Sequence, residues 1–536
     1  MNLNGNSRFS LAPRNEIQRS IFDRSHSHKT TFNASYLVPI YCEEVLPGDT
    51  VTMDQSSICR MSTPLYPVMD NSYLDYHWFF VPYRLVWDHW REFCGENSDP
   101  WAQETEYEIP HGSYTVQEGD FLDHIGVPLD TPCDVSVLPY RAYQLIWNEW
   151  FRDQNLQMNE LVDTGDVADP SQKFYLLPVN KYKDYFTSCL PEPQKGVGVS
   201  VPLGDWAPVK TRNESVYNYA STSGTSLQFV KALSLVYGAG VPNATMGLLS
   251  NSAVADDSTS VETGADPVTP VNLWADLSTA VAPSINELRQ AFAVQRLLEA
   301  DARGGTRYRE LVKAHFGVDT GDARVQIPEY LGGKHIPINV SQVIQQSNVD
   351  NAPTPLGNTG AFSKTVDRGS IFTKSFVEHG LLIGLCSVRT DHTYQQGIPR
   401  YLTRRDRYDF YWPELANIGE QAVKVSEIYA KADPSNSLVF GYQEAWADYR
   451  YSPNRVSGAF RSDSSQSLDV WHYADFYHSR PYLSQSWVKE TDVNISRTLA
   501  VQDSDVADQF LLDCYFNARW ARPMPVYSIP GLAGHF

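Results

Sequence analysis

The chain has 536 residues and a net charge of −20, which argues against a protein whose whole surface grips nucleic acid but leaves room for a local basic face. Aromatic residues make up 12% of it, and 33 prolines with 32 glycines punctuate it, which favours short strands joined by elaborate loops over a helical bundle. The N-terminus MNLNGNSRFS lacks an apolar signal-peptide core, and the apolar run at Leu381–Cys386 is too short to span a bilayer.

A soluble protein made in a reducing cytoplasm is therefore expected. Its scattered cysteines, without a CxxC pair, are expected to be reduced and mostly buried.

In chain order, residues 1–30 carry Arg8, Arg14, Arg19, Arg24 and Lys29 against Glu16 and Asp23. Their apolar residues are too sparse for an independent core. The segment is either a solvated terminus or a basic arm lying on a partner subunit or on phosphates. Phe32, Ala34, Tyr36, Val38 and Ile40 then alternate with period two, and Pro47-Gly48-Asp49 is a turn. Val51, Met53, Cys59 and Met61 share one face of a second strand, and Tyr73–Val81 is a third. Helices are predicted over Tyr83–Cys94, after Pro82 and before Gly95, and over Tyr140–Asp153, after Pro139. The stripe Tyr143, Ile146, Trp147, Trp150 and Phe151 reads as packing surface.

No lysine, arginine or histidine occurs between Lys231 and Arg289, and Asn243–Pro270 also lacks aromatic residues. Such a segment buries too little apolar surface to offset the entropy of ordering it. Placed mid-chain in an aromatic-rich body, it reads as a displayed insertion. Its polar candidates are Asn243, Thr245, Asn251, Ser252, Asp256, Asp257, Thr259, Glu262, Thr263 and Asp266. A helix follows from the capping-box sequence Ser284-Ile285-Asn286-Glu287 to Gly304-Gly305, and another runs from about Arg307 to His315. Phe510, Leu512, Cys514, Phe516 and Ala518 alternate near the C-terminus. Strands at both ends, with long excursions between, suit a β-sandwich or jelly roll.

There is no Walker loop, HExxH or GxSxG, and Gly196-Val197-Gly198 lacks the third glycine of a dinucleotide fingerprint. His26-Ser27-His28 has no nearby partner ligands, and Asp503-Ser504-Asp505 reads as an exposed acidic loop. Carboxylates among aromatics at Asp469–Asp475 keep a carbohydrate-binding or carbohydrate-active β-protein as the alternative. One cluster stands out: Arg400, Arg404, Arg405 and Arg407 interleave with Tyr401, Tyr408, Phe410, Tyr411 and Trp412. Guanidinium groups with stacking rings hold single-stranded nucleic acid, and protein interfaces use the same composition; both readings stay open.

Long strings resemble the major capsid protein of microviruses of the gokushovirus type. They include FDRSHSHKTTFNASYLVPIYCEEVLPGDT (Phe22–Thr50), PVMDNSYLDYHWFFVPYRLVWDHWREFCGE (Pro67–Glu96), PYRAYQLIWNEWFRDQNLQ (Pro139–Gln157) and DYFTSCLPEPQKG (Asp184–Gly196). ELRQAFAVQRLLEADARGGTRYRELVKAHFGV (Glu287–Val318), RRDRYDFYWPELANIGEQAV (Arg404–Val423) and ARPMPVYSIPGLAGHF (Ala521–Phe536) continue the match in family order.

The resemblance implies a mainly β fold: an eight-stranded antiparallel jelly roll with large loop and helix insertions. It implies a structural protein without catalytic, cofactor or metal residues, located in the virion. It also implies a T=1 icosahedral shell around circular single-stranded DNA, assembled in a bacterial cytoplasm. Implied partners are further copies of the chain, the single-stranded DNA genome, a pilot protein, a small basic DNA-binding protein and a host surface receptor, glycan among the options. Residues 1–30 then form the basic arm. Residues 31–210 and 284–536 supply jelly-roll strands and helical insertions, and residues 211–283 form the protruding insertion. Arg8, Arg14, Arg19, Arg24, Lys29, Arg400, Arg404, Arg405 and Arg407 become the DNA-facing candidates, and Tyr143, Trp147, Trp150 and Phe151 the subunit-packing candidates. The insertion matches in location only, so no contact is carried over to its residues.

Overall fold

Period-two alternation builds the scaffold. The protein is described here by a computed structural model covering residues 18–96, 106–168, 174–199, 209–211, 273–275, 285–346, 356–503 and 506–527. Its main strands are β1 (Ser20–Asp23), β2 (His26–Phe32), β3 (Val38–Val45), β4 (Thr50–Met61), β5 (Ser72–Pro82), β6 (Glu329–Pro337), β7 (Thr365–Ser375), β8 (Gly380–Thr390) and β9 (Phe510–Arg522). They form two antiparallel sheets. In one, β9 lies between β4 and the end-to-end pair β1 and β2, with β7 beyond β4; the other runs β6-β5-β8-β3. From β2 to β5 the chain places successive strands alternately in the two sheets.

On β4 and β9 the predicted alternation is the packing pattern, whereas the predicted run Phe32–Ile40 is split between the end of β2 and the start of β3, with a turn at Ser35 (φ +83°) and Tyr36 exposed. On β9, Phe510, Leu512, Cys514, Phe516, Ala518 and Trp520 all point inward. They meet Val51, Met53, Cys59 and Met61 of β4 and Leu74, Tyr76, Trp78 and Phe80 of β5 in one core. The inward face of β4 also carries two polar residues, Gln55 and Ser57. Trp78 Nε1 donates to Gln55 Oε1 at 3.2 Å. Gly384 faces the same indole, where a Cβ would stand 3.1 Å from the ring, so glycine permits the close approach.

β5 and β8 are buried on both faces. Their other face, with Phe79, Val81, Leu381, Ile383 and Leu385, carries a second core supplied by the excursion that follows β5. There the expected helix at Tyr83–Cys94 is instead a 3-10 turn at Tyr83–Leu85 and a short helix at Trp90–Phe93. Val86 and Trp87 between them are drawn into the core, and the Trp87 indole donates to Asp166 at 2.8 Å. The next prediction is nearer: helix α1 (Leu138–Ile146) continues as a π-helical turn at Trp147–Phe151. A third cluster gathers Phe186, Val423, Val425, Ile428 and Phe440. Later helices are α2 (Ile285–Gly304) and α3 (Tyr308–Phe316); α3 ends at Gly317, whose φ of +68° is the left-handed cap.

The chain divides into two compact units, residues 1–195 with 299–536, and residues 196–298. In the second, Val209–Thr211 pairs antiparallel with Leu273–Ala275. All seven cysteines are free, and Cys59, Cys189, Cys386 and Cys514 are buried. Among the described residues no helix is long and apolar enough to cross a membrane.

Two ionic clusters pin the excursions to the sheets. Asp75 of β5 accepts from Arg389 at 2.5 Å and from Tyr182 at 2.6 Å, with His335 Nδ1 also 2.6 Å away. Deeper, Lys181 and His392 face Asp475 and Glu490, all four nearly without solvent exposure. Two cations balance two anions, which removes the cost of isolated buried charge. Burial alone would lower the His392 pKa, but Asp475 and Glu490 outweigh it and raise it to about 10 against Lys181. Burial would raise Asp475; Lys181 and His392 hold it well below the usual carboxylate range instead.

Replacing Asp475 with alanine leaves Lys181 and His392 short of a partner. It should cost about 3–5 kcal/mol in thermal or denaturant unfolding of the subunit. A loss within error would show that the cluster carries no stability. The sign of the pH dependence follows from the raised His392. Its contribution is complete below its ordinary pKa of 6.5 and is lost as pH rises through about 10. The stability gap between wild type and His392→Gln should therefore be present at neutral pH and shrink through that range. A gap independent of pH would mean the ring is neutral throughout.

Candidate nucleic-acid interface

The basic candidates divide by what they touch. Arg8 and Arg14 lie outside the described residues. Arg19, just before β1, donates to Gly48 O at 2.5 Å and Thr50 Oγ1 at 2.9 Å. Arg24 pairs with Glu43 at 2.6 Å and lies 5.0 Å from the Trp520 ring. Lys29, on β2, is exposed beside Asp513 at 3.4 Å. The C-terminal part of the expected arm is thus sheet edge, and its three described cations are engaged with the subunit's own groups.

Short 3-10 turns at Arg400–Leu402, Arg407–Asp409 and Pro413–Leu415 shape the second cluster. Asp409 Oδ2 accepts the Arg405 and Asp406 backbone N–H groups at 2.7 and 3.0 Å. Those bonds hold the Asp409 pKa low. Arg400 donates to Glu427 at 3.3 Å and to Ala422 O at 3.1 Å. Arg404 pairs with Asp448, its side chain only 8% exposed, and stacks 4.4 Å from the Tyr449 ring centroid. These two guanidinium groups are structural. Arg405 and Arg407 are exposed, and Arg407 lies 4.7 Å from the Trp412 ring. Around them Tyr401, Tyr408, Phe410, Tyr411 and Trp412 are also exposed. The surface that results is two outward arginines among five outward rings.

A cavity of about 350 Å³ opens beside this surface. The 397–404 segment forms one wall and the 448–455 segment the other, bringing in Tyr449, Tyr451 and Arg455. Sequence reading missed the second wall. It lies some forty residues further along the chain, and no spacing rule links it to the first.

The aromatic stripe is corrected in part. Tyr143 and Trp147 are fully buried in the second core, with Tyr143 Oη donating to Leu37 O at 2.6 Å and Trp147 Nε1 to Pro178 O at 2.7 Å. Neither has a ring to offer another subunit. Trp150 and Phe151 are half-buried, Trp150 beneath the Arg309 guanidinium at 3.9 Å and Phe151 against His77 at 5.2 Å. The ten polar candidates from Asn243 to Asp266 lie outside the described residues. Among the described residues no group of His, Cys, Asp and Glu could hold a metal ion. Asp475, considered for glycoside chemistry, is buried against Lys181 and His392.

Over residues 10–532 the sequence matches the model of a family described as Capsid protein (F protein). Capsid protein VP1 of Bdellovibrio phage phiMH2K is 40% identical over 539 residues, 98% of each chain. Capsid protein VP1 of Chlamydia phage 1 is 40% identical over 589 residues, covering 98% of this chain and 97% of the relative. Capsid protein VP1 of Spiroplasma virus 4 is 42% identical over 547 residues, with coverages of 98% and 97%. The chain belongs to the phage Capsid protein (F protein) family, alongside the VP1 capsid proteins of microvirus-type phages.

Proposed function

We propose that this chain is the major capsid protein that self-assembles into a T=1 icosahedral shell around circular single-stranded DNA, within a bacterial cytoplasm. The observation that carries the reading is the family match along almost the whole chain. The architecture supports it. The strand orders β2-β9-β4-β7 and β3-β8-β5-β6, packed around one core, fit an eight-stranded jelly roll, a fold that viral shells use. The role is structural rather than catalytic.

Charge arranges the proposed partners. A subunit of net charge −20 repels DNA on average. Packaging then needs local cationic surface, a small basic DNA-binding protein, or both. Arg405 and Arg407 are the DNA-facing residues retained from the cluster, together with Arg8 and Arg14. The acidic 211–283 insertion suits the side away from phosphate, where it would serve attachment to a host receptor, a surface glycan among the options. The short ladder between Val209–Thr211 and Leu273–Ala275 supports an excursion that leaves and returns at one place. A pilot protein completes the proposed set.

Electron microscopy of the expressed chain should show closed shells of uniform size; a chain that stays monomeric and is absent from virions would sink the reading. Replacing Arg405 and Arg407 with glutamine should lower DNA content per particle while empty shells still form. Shells that fail to assemble would place the cluster at a subunit contact instead. Deleting Asn243–Pro270 should spare assembly and reduce adsorption to host cells, and unimpaired adsorption would remove the insertion from attachment.

A further inference from the structure

The cavity beside the 400–412 surface has a chemistry of its own. Its rim carries three tyrosine rings, Tyr401, Tyr449 and Tyr451, all well exposed. Its base is electrically closed: Glu427 accepts from Arg400 at 3.3 Å and from the Tyr185 hydroxyl at 2.8 Å. The Arg404 side chain is more than nine-tenths buried and uses a terminal nitrogen on Asp448, yet its Nε has no hydrogen-bond partner. A buried donor left unmade is costly unless something else supplies the acceptor. Arg455 stands exposed at the rim, its guanidinium making a weak 3.5 Å approach to Ser452 Oγ. Three arginines against two carboxylates leave a positive rim. Outside, Tyr411 lies 6.2 Å from Tyr449, and its chain neighbours Tyr408, Phe410 and Trp412 are exposed as well.

We propose that this cavity receives one unstacked base of a single-stranded DNA, with the base against the tyrosine rings and its phosphate at Arg455. The proposal rests on the reading that the chain encloses single-stranded DNA. Three features favour this ligand. A volume near 350 Å³ sits at the small end of the range for organic ligands, suited to one planar group and its linker. Base–ring stacking tolerates any base, as packaging of a whole genome requires. An aromatic peptide side chain would use the rings but give no role to Arg455 or to the outward Arg405 and Arg407. Duplex DNA keeps its bases in the stack and cannot enter.

The test uses the full-length chain and fluorescence anisotropy with two probes: a short oligodeoxythymidine, and an abasic deoxyribose-phosphate strand of equal length. Wild type should bind the thymidine strand about tenfold more tightly, the scale of one stacked base. The double variant Tyr401→Ala, Tyr449→Ala should bring the two probes to parity without weakening the abasic strand. Both side chains are largely exposed, so folding should survive, and far-ultraviolet circular dichroism checks it. Arg455→Gln should weaken both probes and lower the salt slope by about one. Equal binding of the two probes by wild type would overturn the proposal, and that arm needs no variant. So would displacement of the thymidine strand by a neutral tryptophan-containing peptide, which would assign the cavity to a protein partner. These measurements read the subunit alone. A failure to form shells would damage the capsid reading without changing the ratio between probes.

Discussion

The pairing of β9 with strands from the opposite end of the chain is the constraint on which the structure depends. β9 takes Thr50–Met61 on one side and Ser20–Phe32 on the other, so the first sheet closes only when the last strand enters. Register is fixed strictly there. Six alternate side chains from Phe510 to Trp520 are buried, and a slip of one residue would turn all of them to solvent. The entropy of closing a loop grows only with the logarithm of its length. A sheet held by its two ends can therefore carry very long excursions at small additional cost. That is how one two-sheet scaffold carries excursions that bring further cores of their own.

The excursions need their own attachment, and charge supplies it. Asp75 joins β5 to Tyr182 and Arg389, and the Lys181, His392, Asp475, Glu490 cluster ties four separate segments together. Each cluster is close to neutral, so the net charge of −20 is carried mainly by the surface. The same economy governs the arginines. Arg24, Arg400 and Arg404 are matched to Glu43, Glu427 and Asp448, which removes them as general cationic surface. What remains outward in the aromatic cluster is Arg405 and Arg407. Two charges make a directed contact, not an adhesive face, which is the arrangement the proposal of a DNA-enclosing subunit calls for: contact at chosen points and repulsion elsewhere.

The sequence was most readable where burial alternates. The faces of β4 and β9 follow from Val51, Met53, Cys59, Met61 and the Phe510–Ala518 series, because period two has one physical cause. Helix ends were legible where glycine breaks the helix, as at Gly304-Gly305. The Tyr83–Cys94 helix was misread because its start and stop signals were present while Val86 and Trp87 were committed to a core formed by distant residues. Tyr143 and Trp147 failed as subunit contacts for a related reason. A stripe on a helix shows that a face is covered, and not by which chain. Arg400 and Arg404 looked like free cations because Glu427 and Asp448 are 27 and 44 residues further along. The cavity's second wall was invisible on the same ground.

Apolar surface points the same way as the family. Phe292 and Leu297 of α2 and Tyr308 and Phe316 of α3 are more than half exposed. So are Tyr482 and Val493 in a different part of the chain. In a protein that works alone, such side chains would be a liability for aggregation. Their distribution argues against a single partner, since one docking partner needs one patch. A subunit in a closed shell meets several neighbours through different faces, and each face requires its own apolar contact. Among the described residues, both main cores are assembled from other side chains. They stand outside both described cores and are available for contacts between copies, which is the division of labour a self-assembling subunit requires.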